Sequence, residues 1–80
     1  MSKEYYKKKL VDLRADIARE REAKKRDNAN YANLIKNASS TSTKATYRKN
    51  KIDKSSAHDR RIEYLNIDVY RTRDALKRCK

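Results

Sequence analysis

Residues 38–43 read ASSTST, and this run lies near the middle of an 80-residue chain that contains neither glycine nor proline. Serine and threonine side chains compete for local backbone hydrogen bonds, so a run of them suits a turn or a helix cap better than a helix interior. The run therefore predicts the point at which the chain reverses, with Thr41, Ser42 or Thr43 as the N-cap of a second helix.

The residues before this turn carry apolar side chains at alternating steps of four and three. Such steps are typical of the buried seam of a coiled coil. The pattern lapses in the middle of this half and resumes close to the turn. Its apolar members are Tyr6, Leu10, Leu13, Ile17, Tyr31, Leu34 and Ala38, and its polar members are Glu20, Lys24 and Asp27. Ser2 is the expected N-cap of this first helix.

The residues after the turn repeat the same rhythm. Its members are Ile62, Leu65, Val69, Thr72, Leu76 and Cys79, preceded by the polar residues Arg48, Lys51, Ser55 and His58. If the chain folds back at the Ser/Thr run, residues pair when their numbers add to about 82. The two apolar segments then face each other, and Lys24 and Asp27 lie opposite His58 and Ser55.

We therefore predict an all-α fold, an antiparallel two-helix hairpin that is coiled-coil-like, either oligomeric or completed on a partner. The expected organisation is a single domain over residues 1–80, with helices at about 3–37 and about 44–79 and a turn at about 38–43. Each helix would be roughly 50 Å long at about 1.5 Å per residue. One continuous helix is the alternative, because serine and threonine interrupt a helix less firmly than glycine or proline.

Composition limits the size of the core. Lysine and arginine number 23 against 11 acidic residues, for a net charge of +12, and only 36% of the chain is hydrophobic. So few apolar side chains cannot fill a conventional globular core, which favours an elongated shape with a narrow seam or folding on a partner. High charge with low hydrophobicity is also typical of disorder. The six tyrosines and the regular apolar spacing argue against disorder along the whole chain.

The charge distribution points to a binding surface. No acidic residue lies between Asp27 and Asp53, and this acid-free window, residues 28–52, is rich in lysine, asparagine, serine and threonine. Cations attract phosphates, amides and hydroxyls hydrogen-bond nucleotides, and tyrosine stacks on unpaired bases. The window suits RNA or single-stranded nucleic acid, and a merely hydrated helix end is the alternative. The predicted nucleic-acid-binding residues are Lys36, Lys44, Tyr47, Arg48, Lys49, Lys51 and Lys54.

A second basic zone lies near the two termini, and an acidic stripe on the first helix separates it from the window. This patterning favours docking in a defined pose, for instance on a protein that already holds nucleic acid. Three tyrosines outside the seam add a protein partner or a homodimer to the expected partners. The zone contains Lys7, Lys8, Lys9, Arg71, Arg73, Lys77, Arg78 and Lys80, the stripe Asp12, Asp16, Glu20 and Glu22, and the tyrosines are Tyr5, Tyr64 and Tyr70.

The sequence does not favour catalysis. It contains one histidine and one cysteine, and no cluster with zinc-ligand spacing. His58 and Asp59 are adjacent, and adjacent side chains on a helix do not face each other. We therefore expect no enzyme activity, no catalytic residue, no metal and no cofactor. His58 is expected in a hydrated polar part of the seam, touching Asp27.

The expected location is cytoplasmic. A lone cysteine, Cys79, cannot form an internal disulfide, which favours a reducing compartment. No apolar run has the length of a signal peptide or a membrane span, so no membrane association is expected. The start Met-Ser-Lys-Glu is typical of a mature cytosolic N-terminus.

Two resemblances concern general character. A hairpin near this size resembles the WXG100-type export partners, although the Trp-x-Gly turn of that family is missing because the chain has neither residue. The chain is also similar in style to small phage or mobile-element proteins, many of which bind and redirect nucleic-acid machines, including CRISPR effectors. No particular motif carries this second likeness.

The sequence thus favours a non-enzymatic basic binder of RNA or of a ribonucleoprotein that modulates its target. A phage or mobile-element inhibitor of a nucleic-acid-guided machine, an anti-CRISPR protein, belongs to this class. The alternatives are a protein–protein adaptor or export partner, and a sequence-neutral DNA-binding architectural protein.

Overall fold

A computed structural model describes residues 2–79, which form two long helices joined by a short turn. Helix α1 spans Lys3–Asn37, and helix α2 spans Thr41–Arg78. This part of the chain measures 62 × 14 × 12 Å, which is the shape of a narrow rod. The predicted helical hairpin is confirmed, and the alternative of one continuous helix is wrong.

Serine hydroxyls cap both helices at their N-termini. Ser2 caps α1 as predicted, and its side chain accepts a hydrogen bond from the backbone N–H of Tyr5 at 3.4 Å. The cap of α2 is Ser40, whose Oγ accepts from the N–H of Thr43 at 3.1 Å. The predicted cap at residues 41–43 is therefore wrong, and the turn is shorter than predicted. A cap one position earlier lets Thr41 to Thr43 join the helix and its hydrogen bonds.

The chain reverses without any left-handed residue. Ala38 ends α1 in an extended conformation (φ −70°, ψ 136°), and Ser40 is also extended (φ −117°, ψ 149°). No residue from 2 to 79 has a positive φ. Any L-residue adopts these angles without strain, so the turn needs no glycine.

Side-chain contacts between the helices fix their register. Lys24 Nζ lies 2.7 Å from Asp59 Oδ1, and Ser55 donates a hydrogen bond to Asn28 Oδ1, also at 2.7 Å. The residue numbers in each pair add to 83, within one of the predicted value. The helices are therefore antiparallel in the register that the two apolar segments predicted.

The apolar core lies near the open end of the hairpin, where the termini meet. Leu10, Leu13 and Ile17 are buried on α1. On α2 Thr72 is 3% exposed, and its hydroxyl donates to the backbone carbonyl of Asp68 at 2.7 Å, so the buried hydroxyl is satisfied within its own helix. The core is a strip of side chains between two helices rather than an enclosed interior.

The buried face shifts by one residue towards the turn. The pattern predicted Leu34 and Arg48 on the seam, but Leu34 is 43% exposed and Arg48 is exposed. Their neighbours Ile35 and Tyr47 are half-buried instead. A straight α-helix drifts by about 20° per heptad from a strict seven-residue repeat, so several heptads from the core the inward position moves by one residue.

We predict that Leu13→Ala lowers the free energy of unfolding by about 2 kcal/mol, near the low end for such truncations because the cavity at the edge of a thin rod opens to water. The matched control is Tyr64→Ala, at a side chain that is 69% exposed, with an expected change within about 0.5 kcal/mol. Urea denaturation followed by circular dichroism measures both. Equal destabilisation by the two changes would contradict the core described above.

Candidate nucleic-acid interface

The acid-free window becomes the turn end of the rod. It comprises the last part of α1, the turn and the first part of α2, and the reversal at residues 38–40 places its two halves side by side. Within residues 2–79, none of the window's cations forms an ion pair. These cations are Lys36, Lys44, Arg48, Lys49 and Lys51. Their charge is therefore available to a ligand.

Two of the predicted binding residues share a groove between the helices. Arg48 and Lys51 line an open groove of about 490 Å³, which we call the turn-end groove. The other lining residues are Asn28, Ile35, Ile52, Ser55 and Ser56. Ile52 is 65% exposed, so an apolar surface lies beside the two cations. This combination can hold a phosphate next to the face of a base or another flat apolar group.

The remaining predicted residues lie at this end of the rod but do not line the turn-end groove. Tyr47 is half-buried and does not line the turn-end groove, so only part of its ring is accessible for stacking. Lys54 is exposed and lies on the same helical face as Tyr47, seven residues further on. Lys36 and Lys49 are exposed, and Lys44 is half-buried. They provide charge around the groove.

A polar cluster around His58 joins the two helices in the middle of the rod. His58 is 8% exposed, with Nδ1 lying 2.5 Å from Glu20 Oε1 and Nε2 lying 2.6 Å from Asp27 Oδ2. Ionised carboxylates only accept hydrogen bonds, so when both Glu20 and Asp27 are ionised both ring nitrogens donate and the ring is the protonated imidazolium. The expected contact with Asp27 is confirmed. Sequence reasoning missed Glu20. It lies about one helical turn before the residues of α1 that are directly opposite His58, and its long side chain spans that distance.

The cluster shifts the pKa values of His58 and Asp27. The hydrogen bond to Asp27, followed by that to Glu20, raises the pKa of His58 above its ordinary 6.5, although burial opposes this. The hydrogen bond from His58 lowers the pKa of Asp27 below 3.8. The charges of Lys54 and Arg26 act in the same direction on the pKa of Asp27. Protonated histidine and ionised carboxylates therefore stabilise one another.

The surroundings of His58 differ from those of a catalytic histidine. Asp59, its neighbour in the sequence, pairs with Lys24 instead. Both nitrogens of His58 bind carboxylates, which leaves neither nitrogen to accept a proton from a substrate. In the part of the chain that the structure describes, no group of three or more histidine, cysteine or acidic side chains is placed to hold a metal ion. The geometry assigns the cluster to helix–helix packing.

Over residues 2–79, neither helix is apolar enough to cross a membrane. Comparisons with family models, with curated proteins and with solved structures gave no match. The site is therefore interpreted from its own chemistry.

We predict that the His58 cluster makes the hairpin less stable both at higher and at lower pH. The contribution of His58 to the free energy of unfolding is complete below pH 6.5, its ordinary pKa, and is lost as the pH rises through its raised pKa in the folded state. The contribution of Asp27 is present above 3.8 and is lost as the pH falls through its lowered pKa. The cluster should therefore stabilise the hairpin most between those two values.

Urea denaturation at a series of pH values, from acidic to alkaline, measures the effect. His58→Gln is the test variant because glutamine does not titrate. The variant should be less stable than the parent in the mildly acidic range, and its decline on the alkaline side should be smaller. A parent chain that becomes more stable as the pH rises past neutrality would contradict the imidazolium described above.

Proposed function

We propose that this chain is a non-enzymatic helical protein that binds RNA or a ribonucleoprotein through the turn end of its rod and modulates that target. The observation that carries the proposal is the group of unpaired cations in the acid-free window, brought side by side by the hairpin. Like charges held together repel one another, and a polyanion relieves the repulsion while releasing its own counterions.

The ion pairs within helices lie elsewhere on the rod, which supports the turn end as the contact surface. Near the open end Lys7 pairs with Glu4, and Arg78 pairs with Asp74. Further along α1, Arg19 lies 2.8 Å from Asp16. Exposed pairs of this kind contribute little to stability, but they reduce the charge offered to a ligand. The turn end keeps its full positive charge.

The dimensions of the rod favour RNA or nucleoprotein over base reading in duplex DNA. The major groove of B-DNA is about 12 Å wide and accepts a single helix. The paired helices already measure 14 × 12 Å in cross-section and would not enter it. Contacts to backbone phosphates and to unpaired bases need no such insertion. A sequence-neutral contact with duplex DNA is the related alternative.

Binding alone would be enough to modulate the target. A rod of this size placed on a guide or target strand would block the access of another strand to it. We include within the proposal a phage or mobile-element inhibitor of a nucleic-acid-guided machine such as a CRISPR effector. Its basis is the small size and the positive charge of the chain.

A protein–protein adaptor or export partner is the second candidate, and the exposed apolar side chains favour it. Tyr64 and Tyr70 are 69% and 70% exposed, and Val11 and Ile52 are each 65% exposed. Exposed aromatic residues are common at protein interfaces. Pull-down with and without nuclease distinguishes the candidates, because a partner held through RNA is released by nuclease treatment.

We predict that the triple variant R48Q/K49Q/K51Q weakens RNA binding and lowers the dependence of log Kd on log salt by about 0.7 for each phosphate that is no longer neutralised. The matched control is K7Q/K8Q/K9Q, which removes the same charge from the open end, where Glu4 already partly neutralises the surface. Fluorescence anisotropy of a labelled single-stranded RNA over a salt titration gives both quantities.

Glutamine has a helix propensity close to that of lysine and arginine, so both variants should keep the parent's circular dichroism spectrum. A greater loss of affinity in the open-end variant would move the contact surface to the termini. If neither variant loses affinity, the turn end does not carry the binding and the location proposed here is wrong. If the parent itself does not bind RNA, the adaptor role replaces the proposal.

A further inference from the structure

Three arginines converge on a second cleft, far from the turn end. Arg14 and Arg21 on α1 and Arg73 on α2 line a cleft of about 310 Å³, which we call the arginine cleft. The other lining residues are Ile17, Asn66, Val69 and Tyr70. The cleft lies next to the apolar core, because Ile17 is one of the buried residues. It belongs to the best-packed part of the hairpin.

The arginine cleft has no negative charge of its own. No lining residue is acidic, and none of the three arginines has a carboxylate partner within residues 2–79. Clefts on the opposite flank of the rod differ, since Asp16 and Glu20 line one of them and Asp68 lines another. Guanidinium groups form paired hydrogen bonds with phosphate oxygens, so three of them around one cleft are suited to an anionic oxygen ligand.

Tyr70 adds a flat apolar surface beside the arginines. Its side chain lines the arginine cleft and is 70% exposed, so the ring faces solvent rather than the core. Asn66 is half-buried in the same cleft and has donor and acceptor groups. A phosphate ligand with an attached base would contact both the guanidinium groups and the ring, whereas an inorganic anion would use only the former.

The arginine cleft and the turn-end groove lie on one flank of the rod. Arg14, Arg21, Asn28 and Ile35 follow one another at intervals of seven along α1, and the first two line the cleft while the last two line the groove. Residues seven apart differ by about 20° around a straight helix, so Arg14 and Ile35 differ by about 60° and stay on the same side of α1. From Arg14 to Ile35 the flank extends about 32 Å at the α-helical rise.

Two acidic residues, Asp59 and Glu63, lie between the two sites on α2, and Asp59 is neutralised. Ile52, Asp59, Asn66 and Arg73 form the corresponding row on α2, again at intervals of seven. Asp59 pairs with Lys24 at 2.7 Å, so it presents no free negative charge to a strand passing over it. These two rows therefore present no unpaired carboxylate to a nucleic-acid strand. The neighbouring row on α2, which contains Ser56, Glu63 and Tyr70, presents the exposed Glu63, so the path between the sites follows the row of Arg14 on α1.

We propose that the arginine cleft binds a backbone phosphate of the RNA strand, with the adjacent base stacked on Tyr70, so that the strand runs along this flank from the turn-end groove. The inference rests on the proposed function for its ligand class, and it assigns a second binding site that the acid-free window does not include. The open end of the hairpin then takes part in binding through α1 and α2 together.

The test measures binding of the full chain to a labelled single-stranded RNA oligonucleotide by fluorescence anisotropy over a salt titration. The variant R14Q/R21Q/R73Q should bind about tenfold more weakly, since it removes hydrogen bonds from charged groups, and its salt slope should fall by about 0.7 for each phosphate left without its cation. The matched control is K8Q/R60Q/R71Q, which removes three cations that line neither site and have no ion pair within residues 2–79. It should keep an affinity near that of the parent.

Two further comparisons distinguish a site that depends on the arginine and tyrosine side chains from one that depends only on positive charge. R14K/R21K/R73K keeps the charge but removes the paired guanidinium geometry, so it should recover only part of the affinity. Tyr70→Ala should weaken binding by about tenfold and Tyr70→Phe should not, because stacking needs the ring and not the hydroxyl. Tyr64→Ala, at an equally exposed tyrosine that does not line the cleft, is the control for the aromatic change.

The outcomes separate this inference from the proposed function. If the parent binds RNA and the cleft variants behave like the K8Q/R60Q/R71Q control, the proposed role of the arginine cleft is wrong and the turn-end site stands. If the cleft variants lose affinity and R48Q/K49Q/K51Q does not, the cleft is supported and the location given to the main site is wrong. If the parent does not bind RNA even at low salt, both proposals are overturned.

Discussion

The imidazolium of His58, held between Glu20 and Asp27, acts where the apolar packing of the hairpin stops. Within residues 2–79 the buried apolar side chains are Leu10, Leu13 and Ile17 on α1, so the middle of the rod has no comparable strip of hydrocarbon to join the helices. Two carboxylates on one helix would repel each other without the positive ring between them. The alignment of the turn-end groove and the arginine cleft on one flank depends on this central connection, because it keeps α1 and α2 in register between them.

The fold was accessible from the sequence because two independent patterns agreed. The Ser/Thr run marked the reversal, and the four-three spacing on either side of it set the register that Lys24 and Asp59 now display. The errors arose where the angular drift of a straight helix from a strict heptad repeat adds up over several heptads. A strict heptad repeat placed Leu34 inward, but the drift of a straight helix exposes it and turns Ile35 towards the partner helix.

The sites were only partly accessible from the sequence. The acid-free window is a property of consecutive residues, so a reading along the chain finds it. The arginine cleft joins Arg14 and Arg21 to Arg73 across the hairpin, and no linear pattern connects them. The same applies to Glu20 as a partner of His58, because side-chain length decides that contact. The register was predicted to within one residue, so finding either would also have needed the rows at intervals of seven and the reach of each side chain.

The position of the apolar core has a consequence for how the hairpin forms. Ile17 and Val69 line the same cleft although they lie far apart in the sequence, whereas the residues next to the turn are mostly polar and exposed. A hairpin that closes from its turn gains little apolar burial in its first steps, and the entropy lost on closing a loop grows with the length of the loop. Helices that are already formed shorten this search, because each long segment then moves as a stiff unit. The lack of glycine and proline therefore matters to folding kinetics: it keeps each segment helical over the distance needed to bring the two ends of the chain together.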